Sequence, residues 1–279
     1  MSEFVLVTDS SADLSEEMAQ AIRVPVLPLR FTIQGQTYRN YPDNREMDPA
    51  LFYDMLRAGE LATTAALNPN DFEEELEPYL KDGKDILILA FSSGLSTTFN
   101  SSRLAVEELQ EKYPQRKIYT VDTLCASMGQ GLLVWLAAQK RDAGASIEEV
   151  RDWVEENKLH LCHQFTVSDL HFLKRGGRIS ATTAVVGSML QIKPVLHVDD
   201  EGHLINIGKA QRITPGDILG AVAGESGIPG RMVGSIDMYD GYTFVDVPGR
   251  YADDVLKAMA HAKIKGKNIH VEKANTNRR

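Results

Sequence analysis

The stretch Phe4-Val5-Leu6-Val7-Thr8, followed by Asp9-Ser10-Ser11-Ala12-Asp13-Leu14-Ser15-Glu16, decides the fold of the first half of this chain. Its first five residues have the length and the apolar, β-branched character of a buried strand. Residues 13–16 have the spacing of a capping box, which predicts a helix directly after a polar loop. A strand, a loop and a helix in this order predict one unit of a parallel sheet.

The same unit recurs further along the chain. The predicted strands are Asp85–Phe91 and Lys117–Val121, and the predicted helices are Asp48-Pro49 to Gly59, Thr97–Tyr113 and Ala126–Asp142. Parallel strands end at one edge of a sheet, so the polar loops Asp9–Asp13, Ser92–Ser96 and Asp122-Thr123 are expected at a common, ligand-binding edge. We regard Thr63-Thr64, between two helices, as part of a polar loop whose hydroxyls could join that of Ser96.

The pattern changes twice after this α/β/α lobe. From Ser146 a partial second α+β lobe is predicted, with a capped helix, a strand-like segment Leu159–Val167, a helix Asp169–Lys174 and a hairpin turn Asp199–Gly202. After Leu204 the order is β-α-β-β-α-β: strands Leu204–Ile207, Arg231–Met238, Tyr242–Val247 and Lys267–Val271, with helices Thr214–Gly224 and Tyr251–Ala262. We therefore expect domains at 1–145, 146–204 and 205–279.

Composition excludes several classes of protein. The chain has 279 residues, 43% of them hydrophobic and 25% charged, as a packed globular protein requires. Its apolar runs are too short to span a bilayer, no signal-peptide pattern is visible, and the two cysteines form no disulfide or zinc pattern. We expect a cytoplasmic protein without a metal or cofactor.

Charge divides the chain at the same point as the pattern. Up to Leu204 there are 19 Lys and Arg against 31 Asp and Glu, and after it 11 against 8, out of a total charge of −9. The acidic part repels phosphate, whereas the basic part gains affinity for nucleic acid by releasing counterions.

The loop Ser92-Ser93-Gly94-Leu95-Ser96 is the first candidate site, because its hydroxyls and amides precede a predicted helix N-terminus. An anion site fits it, with Ser93, Ser96 and Thr97 as ligands. Two alternatives stay open: Ser96 as a helix cap, or as a hydrolase nucleophile. The G-x-S-x-G spacing of a nucleophile elbow fails, because Thr98 stands at the second glycine position.

Four segments resemble the DegV family, in the same order over about 200 residues. They are Val7–Leu14, Ser92–Ser96, Leu173-Lys174-Arg175-Gly176-Gly177-Arg178-Ile179-Ser180 and Ile192-Lys193-Pro194-Val195-Leu196. The resemblance implies a non-catalytic fatty-acid-binding protein of two lobes, with the acyl chain between them and its carboxylate on hydroxyls, here Thr64 and Ser96. It also implies a separate kinase that phosphorylates the bound fatty acid. Lys174, Arg175 and Arg178 are then a docking element, with a solvated turn as the alternative.

Some residues depart from the family pattern. Ala65 and Ala66 stand where Ser-Gln is usual, and Thr97 where a glycine is usual. The family's second lobe continues beyond the Asp199–Gly202 turn, and the expectation is that a lobe ending there exposes apolar core and strand edges.

The residues after Leu204 resemble a different family. They are similar to the DbpA-type RNA-binding domain of DEAD-box helicases, which has an RRM-like fold. The segments that carry the similarity are Gly216-Asp217-Ile218-Leu219-Gly220, Gly227-Ile228-Pro229-Gly230-Arg231 and Ile264-Lys265-Gly266-Lys267. The resemblance implies binding of structured ribosomal RNA, and not DNA, through Tyr242 and Phe244 as base-stacking residues and through Arg231, Lys263, Lys265 and Lys267 as phosphate contacts. The alternatives are core packing of the two aromatic residues and, for the lysines, positive charge that is only solvated. No Walker motif precedes this module, which excludes ATP-driven unwinding.

Overall fold

The computed structural model describes residues 4–167, 169–179, 196–206, 215–234, 236–238, 243–264, 267–269 and 271–273. They form two compact units. The first contains the described residues of 1–164 and of 198–204, and the second contains those of 165–197 and of 205–279.

The chain up to residue 157 alternates strands and helices. In order these are β1 (Phe4–Asp9), α1 (Glu16–Ala21), β2 (Val26–Leu27), β3 (Arg30–Ile33), β4 (Gln36–Arg39), α2 (Pro49–Arg57), β5 (Ala62–Ala65), α3 (Pro69–Lys81), β6 (Asp85–Ala90), α4 (Thr98–Lys112), β7 (Ile118–Asp122), α5 (Ser127–Asp142) and α6 (Ile147–Asn157). The remaining described elements are β8 (Gln164–Phe165), α7 (Leu170–Arg175), β9 (Leu196–Val198), β10 (Leu204–Asn206), α8 (Pro215–Ser226), β11 (Ile236–Met238), β12 (Thr243–Val245), α9 (Ala252–Met259), β13 (Lys263–Ile264) and β14 (Lys267–Asn268).

The first unit is an α/β/α sandwich around a parallel sheet of order β2-β1-β6-β7. Every residue of β6 is buried, because helices cover both faces. Leu87 and Leu89 pack into a core with residues of α5 and α6, whereas Ile86 and Ile88 pack into a second core with residues of α3 and α4. This alternation follows from the period of two along a strand, and it confirms the α/β class predicted for the first lobe.

Helix caps follow the sequence signals closely. Asp48 Oδ1 accepts hydrogen bonds from the Ala50 and Leu51 amides, and Ser146 forms the predicted capping box with Glu149. The first helix is an exception, since Ser15 and not Asp13 is its N-cap. Asp13 instead adopts a left-handed conformation after a 3-10 turn, and its carboxylate accepts a hydrogen bond from the Ser127 hydroxyl.

A second sheet, of order β4-β3-β5, is antiparallel and contains the segment that we predicted as a loop. Thr63 and Thr64 lie in β5, opposite Thr32 and Phe31 of β3. The prediction failed because β5 is short and exposed on both faces, so it lacks the alternation that marks a half-buried strand.

The later elements match their predictions unevenly. The segment Leu159–Val167 begins in a 3-10 turn at Lys158–His160, and of its residues only the two of β8 form a strand. Arg231–Met238 likewise begins in a 3-10 turn, and among its described residues only Ile236–Met238 form a strand, β11. The 199–203 turn joins β9 to β10 as predicted, and β10 lies next to β9 in its sheet.

The C-terminal part of the second unit has its own core. Helices α8 and α9 contribute Ile218, Val222, Val255 and Met259, all buried. The antiparallel pair β11–β12 supplies the predicted hairpin, with Ile236 and Val245 packed against this core. Residues Tyr239–Tyr242 and Thr214, which the sequence assigns to the turn and to a helix cap, lie outside the described residues.

Candidate functional site

The carboxyl edge of the parallel sheet of the first unit collects the three predicted polar loops. Strands β1, β6 and β7 run parallel and end at Asp9, Ala90 and Asp122. The Thr123 amide and hydroxyl both donate to the Ala90 carbonyl, at 3.2 and 2.7 Å, which joins the last two loops directly. The loops therefore meet as the parallel topology requires.

Asp9 ties the first loop to the second. Its side chain is buried, with one carboxylate oxygen accepting the Phe91 amide at 2.8 Å and the other accepting the Ser11 amide at 3.1 Å and the Ser11 hydroxyl. Burial raises the pKa of Asp9, and the hydrogen bonds from Ser11 and Phe91 oppose this shift. The carboxylate thus fixes the point at which the chain leaves β6.

A buried glutamine completes this network, and sequence reasoning missed it. Gln130 of α5 donates to the Thr8 hydroxyl at 3.0 Å, and its carbonyl oxygen lies 2.9 Å from the Ser11 hydroxyl. Thr8 in turn donates to the Leu89 carbonyl at 2.8 Å. The only signal in the sequence is an amide side chain within an otherwise apolar stretch of helix.

Residues 92–96, here called the serine loop, contain serines that differ in how far they are buried. Ser92 is fully buried, whereas Ser93 is exposed and its amide donates to Asp122 Oδ1 at 3.1 Å. Ser96 is half-buried, and its hydroxyl accepts the Thr98 amide at 3.2 Å and lies 2.9 Å from the Thr98 hydroxyl. Thr97 is exposed and makes no capping hydrogen bond through its side chain.

Ser93, Ser96 and Thr97 place one half-buried and two exposed hydroxyls just before α4, a helix of 15 residues. A helix N-terminus carries partial positive charge, and hydroxyls donate to anions. The geometry is therefore suited to a carboxylate. The predicted helix cap at Ser96 is displaced by one residue, because Thr97 is the N-cap of α4 and Ser96 instead closes a turn with the Thr98 amide.

Thr64 lies on a different element, beside aromatic side chains. It is exposed on β5, directly opposite Phe31, which itself pairs with Tyr38 of β4. The Phe31 ring stacks on Tyr38 at 5.5 Å and meets Phe52 of α2 edge-on at 5.2 Å. A hydroxyl next to an apolar surface suits a ligand with a polar head and a hydrocarbon chain.

Ser10 and Arg30 anchor this second sheet to the rest of the first unit. The Ser10 hydroxyl accepts the Leu29 amide at 3.0 Å and the Asn40 side-chain amide at 3.3 Å. Arg30 of β3 forms a two-armed ion pair with Asp71 of α3, one arm being 3.0 Å long. The start of β3 is thus fixed beside the carboxyl edge.

The basic turn after α7 is built as a helix end. Gly177 has a φ of +74°, its amide donates to the Lys174 carbonyl at 2.9 Å, and the Arg178 amide donates to the Leu173 carbonyl at 2.9 Å. This is the Schellman pattern, which explains the glycine. The Arg175 guanidinium lies 4.4 Å from the Phe172 ring centroid, and both side chains are exposed.

The predicted RNA-binding residues are only partly described. Arg231 and Lys263 are exposed, in the 3-10 turn before β11 and in β13. The backbones of Phe244 and Lys267 belong to β12 and β14. Tyr242 and Lys265 lie outside the described residues.

Within the described ranges, no cluster of His, Cys, Asp and Glu could hold a metal ion. The same ranges contain no helix that combines the length and apolarity needed to cross a bilayer.

Comparison with known proteins bears out both resemblances. The model of an uncharacterised protein family, the DegV family, matches residues 3–213, and that of the DbpA RNA binding domain matches residues 204–273. A DegV domain-containing protein of Clostridium perfringens is 50% identical over 211 residues, which cover 76% of this chain and 72% of that protein.

Solved structures agree with this assignment. A DegV family protein from Thermus thermophilus, described as binding fatty acid, is 34% identical, with a TM-score of 0.63 over 73% of this chain and 70% of that one. DegV from Bacillus subtilis, described as a fatty acid binding protein, is 30% identical, with a TM-score of 0.62 over 73% of this chain and 70% of that one.

Proposed function

Because the chain belongs to the DegV family, we propose that it binds a long-chain fatty acid without transforming it. The exposed hydroxyls of Ser93 and Thr97 and the half-buried hydroxyl of Ser96, which precede the N-terminus of α4, carry this proposal. Ser93, Ser96 and Thr97 would hold the carboxylate together with Thr64. Fatty-acid binding by relatives from Thermus thermophilus and Bacillus subtilis supports it.

The chemistry of the site favours binding over catalysis. A carboxylate needs only donors, and hydroxyls supply them at neutral pH without a general base. The Ser96 oxygen accepts the Thr98 amide and lies beside the Thr98 hydroxyl, so its described hydrogen bonds are to a threonine and not to a general base. A hydrolase would turn over acyl esters and lose this activity in Ser96→Ala, and we expect no turnover in either form.

Lipid extraction of the purified chain, followed by mass spectrometry and titration with oleate, tests the proposal. Thr64→Ala should weaken oleate binding, whereas Thr63→Ala, its neighbour on the opposite face of β5, should not. Ser93→Ala should also weaken binding with little loss of stability, because its side chain is exposed. Absence of both co-purified fatty acid and oleate binding would refute the proposal.

We further propose that the bound fatty acid is presented to a kinase that docks on Lys174, Arg175 and Arg178. The exposed Arg175 beside Phe172 combines charge with an aromatic surface. Arg175→Glu should then slow phosphorylation of the bound fatty acid by a fatty-acid kinase while leaving oleate binding unchanged. Arg57→Glu, an equally exposed charge reversal on α2, is the control.

A second proposed function, binding of structured RNA by a domain at 205–279, has a separate observation behind it. The DbpA domain match covers residues 204–273, and Arg231 and Lys263 in this region are exposed. Helix α6, which was predicted to open a lobe at 146–204, packs into the core of the first unit. We therefore propose only that this module follows a DegV-like part that ends at residue 204. RNA binding alone, with an inactive DegV-like part, is the alternative for the whole chain.

Fluorescence anisotropy with a labelled ribosomal RNA hairpin tests this second function. Affinity should fall with salt, and Arg231→Ala and Lys263→Ala should each reduce the slope of log K against log salt by about 1. Tyr242→Ala and Phe244→Ala should weaken binding further if these residues stack on bases, and Lys265→Ala and Lys267→Ala should act like Lys263→Ala. Lys81→Ala, an exposed lysine of the first unit, is the control. Binding that does not depend on salt would refute the proposal.

A further inference from the structure

The serine loop is in contact with a turn more than 100 residues later in the sequence. The Ser92 hydroxyl donates to the Gly202 carbonyl at 2.8 Å and accepts the Gly94 amide at 3.2 Å. Both Ser92 and Gly202 are buried. Ser92 is thus a bridge between the serine loop and the 199–203 turn, and it has no exposed surface with which to meet a ligand.

Two glycines make this contact possible. A Cβ on Gly94 would lie 2.8 Å from the backbone of Glu201 and Gly202, which is closer than real Cβ atoms come to backbone. A Cβ on Gly202 would lie 2.1 Å from the Ser92 hydroxyl oxygen. Gly202 also has a φ of +79°, which favours glycine for a second reason.

The turn itself is rigidly closed and reaches the third loop as well. Asp199 Oδ1 accepts the amides of Glu201 at 3.0 Å and of His203 at 2.8 Å. The turn also approaches the loop after β7, since a Cβ placed on Gly202 would lie only 3.3 Å from Leu124 Cα. Gly202 is therefore wedged between the loops that follow β6 and β7.

We propose that Ser92, Gly94 and the 199–203 turn are positioning elements for the carboxylate site. They fix Gly94 from one side while Asp122 fixes the Ser93 amide from the other, so that the hydroxyls flanking Gly94 keep one arrangement. Hydroxyls that are already in place bind a carboxylate without the cost of ordering the loop. The inference rests on the proposed fatty-acid binding.

Substitutions at the contact test the inference in the full chain, with oleate and oleyl alcohol as paired ligands. Ser92→Ala should lower oleate affinity by about tenfold, the equivalent of one lost hydrogen bond, with oleyl alcohol affected by less than about twofold. Gly94→Ala should do the same by displacing the turn. The double variant should be no weaker than the weaker single variant, because both changes break one contact.

Ser102→Ala is the matched control. Ser102 is as buried as Ser92, but its hydroxyl donates to the Phe99 carbonyl at 2.7 Å within α4, away from the serine loop. Its loss should reduce stability without changing the ratio of oleate to oleyl alcohol affinity.

Hydrogen exchange of the ligand-free chain gives an independent measure. Amides of residues 92–96 should exchange faster in Ser92→Ala and Gly94→Ala than in the parent chain and in Ser102→Ala. Unchanged exchange, unchanged oleate affinity in Ser92→Ala, or multiplicative effects in the double variant would each overturn the inference. If the hydrogen exchange is as expected but the parent chain binds no oleate, the fatty-acid proposal is refuted. The role of the Ser92–Gly202 contact in fatty-acid binding is then refuted too, although the contact itself is confirmed.

Discussion

Removal of the Asp71 carboxylate should destabilise the first unit strongly, because this one side chain accepts three hydrogen bonds from two residues. It accepts both arms of Arg30 and the Asn68 amide at 2.9 Å, while its own amide donates to Asn68 in a capping box. The Asp71 side chain is 10% exposed and that of Arg30 33%, so water replaces the pair poorly. Loss of the charge-assisted bonds to Arg30 costs about 2 kcal/mol, and loss of the bond from the Asn68 amide costs about 1 kcal/mol. The Asn68 side chain still caps the helix in Asp71→Ala, because it accepts the backbone amide of residue 71.

Asp71→Ala should therefore lower the free energy of unfolding by about 3 kcal/mol, or Tm by about 6–12 °C for a unit of this size. Tryptophan fluorescence during urea unfolding reports this unit selectively, because both tryptophans of the chain, Trp135 and Trp153, pack against its core. In a double-mutant cycle with Arg30→Ala, we expect a coupling energy of about 1–2 kcal/mol.

The exposed pair Arg57–Asp54, 68% exposed on both sides, is the control for this measurement. Asp54→Ala should change stability by less than about 0.5 kcal/mol. Additive effects of Asp71→Ala and Arg30→Ala, or a loss from Asp71→Ala no larger than that of Asp54→Ala, would refute the reasoning.

Three further predictions concern thiols, acid and the second core. Burial raises the pKa of Cys125 to about 12, so at pH 8 iodoacetamide should modify the exposed Cys162 and leave Cys125 unmodified until the chain unfolds. Hydrogen bonds from Lys112, Lys81 and Tyr113 lower the pKa of Glu77 to about 2, and a lowered carboxyl pKa adds stability above the ordinary value near 4.5 that is lost as pH falls toward 2. Glu77→Gln should accordingly flatten the loss of stability between these pH values, and an unchanged acid profile would contradict this. Met259→Ala should destabilise the core of α8 and α9 by about 2–5 kcal/mol, seen by circular dichroism, with no shift in the tryptophan transition.

Most of the first unit was predictable, because local signals and topology agree there. Apolar runs such as residues 85–90 and caps such as Asp48 and Ser146 act over a few residues, and they place strands and helices within one or two positions. The parallel order then implies that the polar loops meet at one edge. The short strand β5 was not predicted, because it is stabilised by pairing with β3, which lies about 30 residues earlier in the sequence, and its own composition carries no strand signal.

The sequence by itself determined the parallel α/β fold, the change of character near Leu204, the DegV family membership, the similarity of the last quarter to the DbpA RNA binding domain, and the serine-rich loop as the candidate site. Only the tertiary structure decided which serines are exposed to solvent and which hold the loop in place through buried hydrogen bonds. Ser92 and Ser93 are neighbours of the same type, but one is buried under the Gly202 carbonyl and the other is exposed. The physical reason is that burial depends on which distant backbone packs against a residue, and Gly202 reaches Ser92 only after the chain has folded.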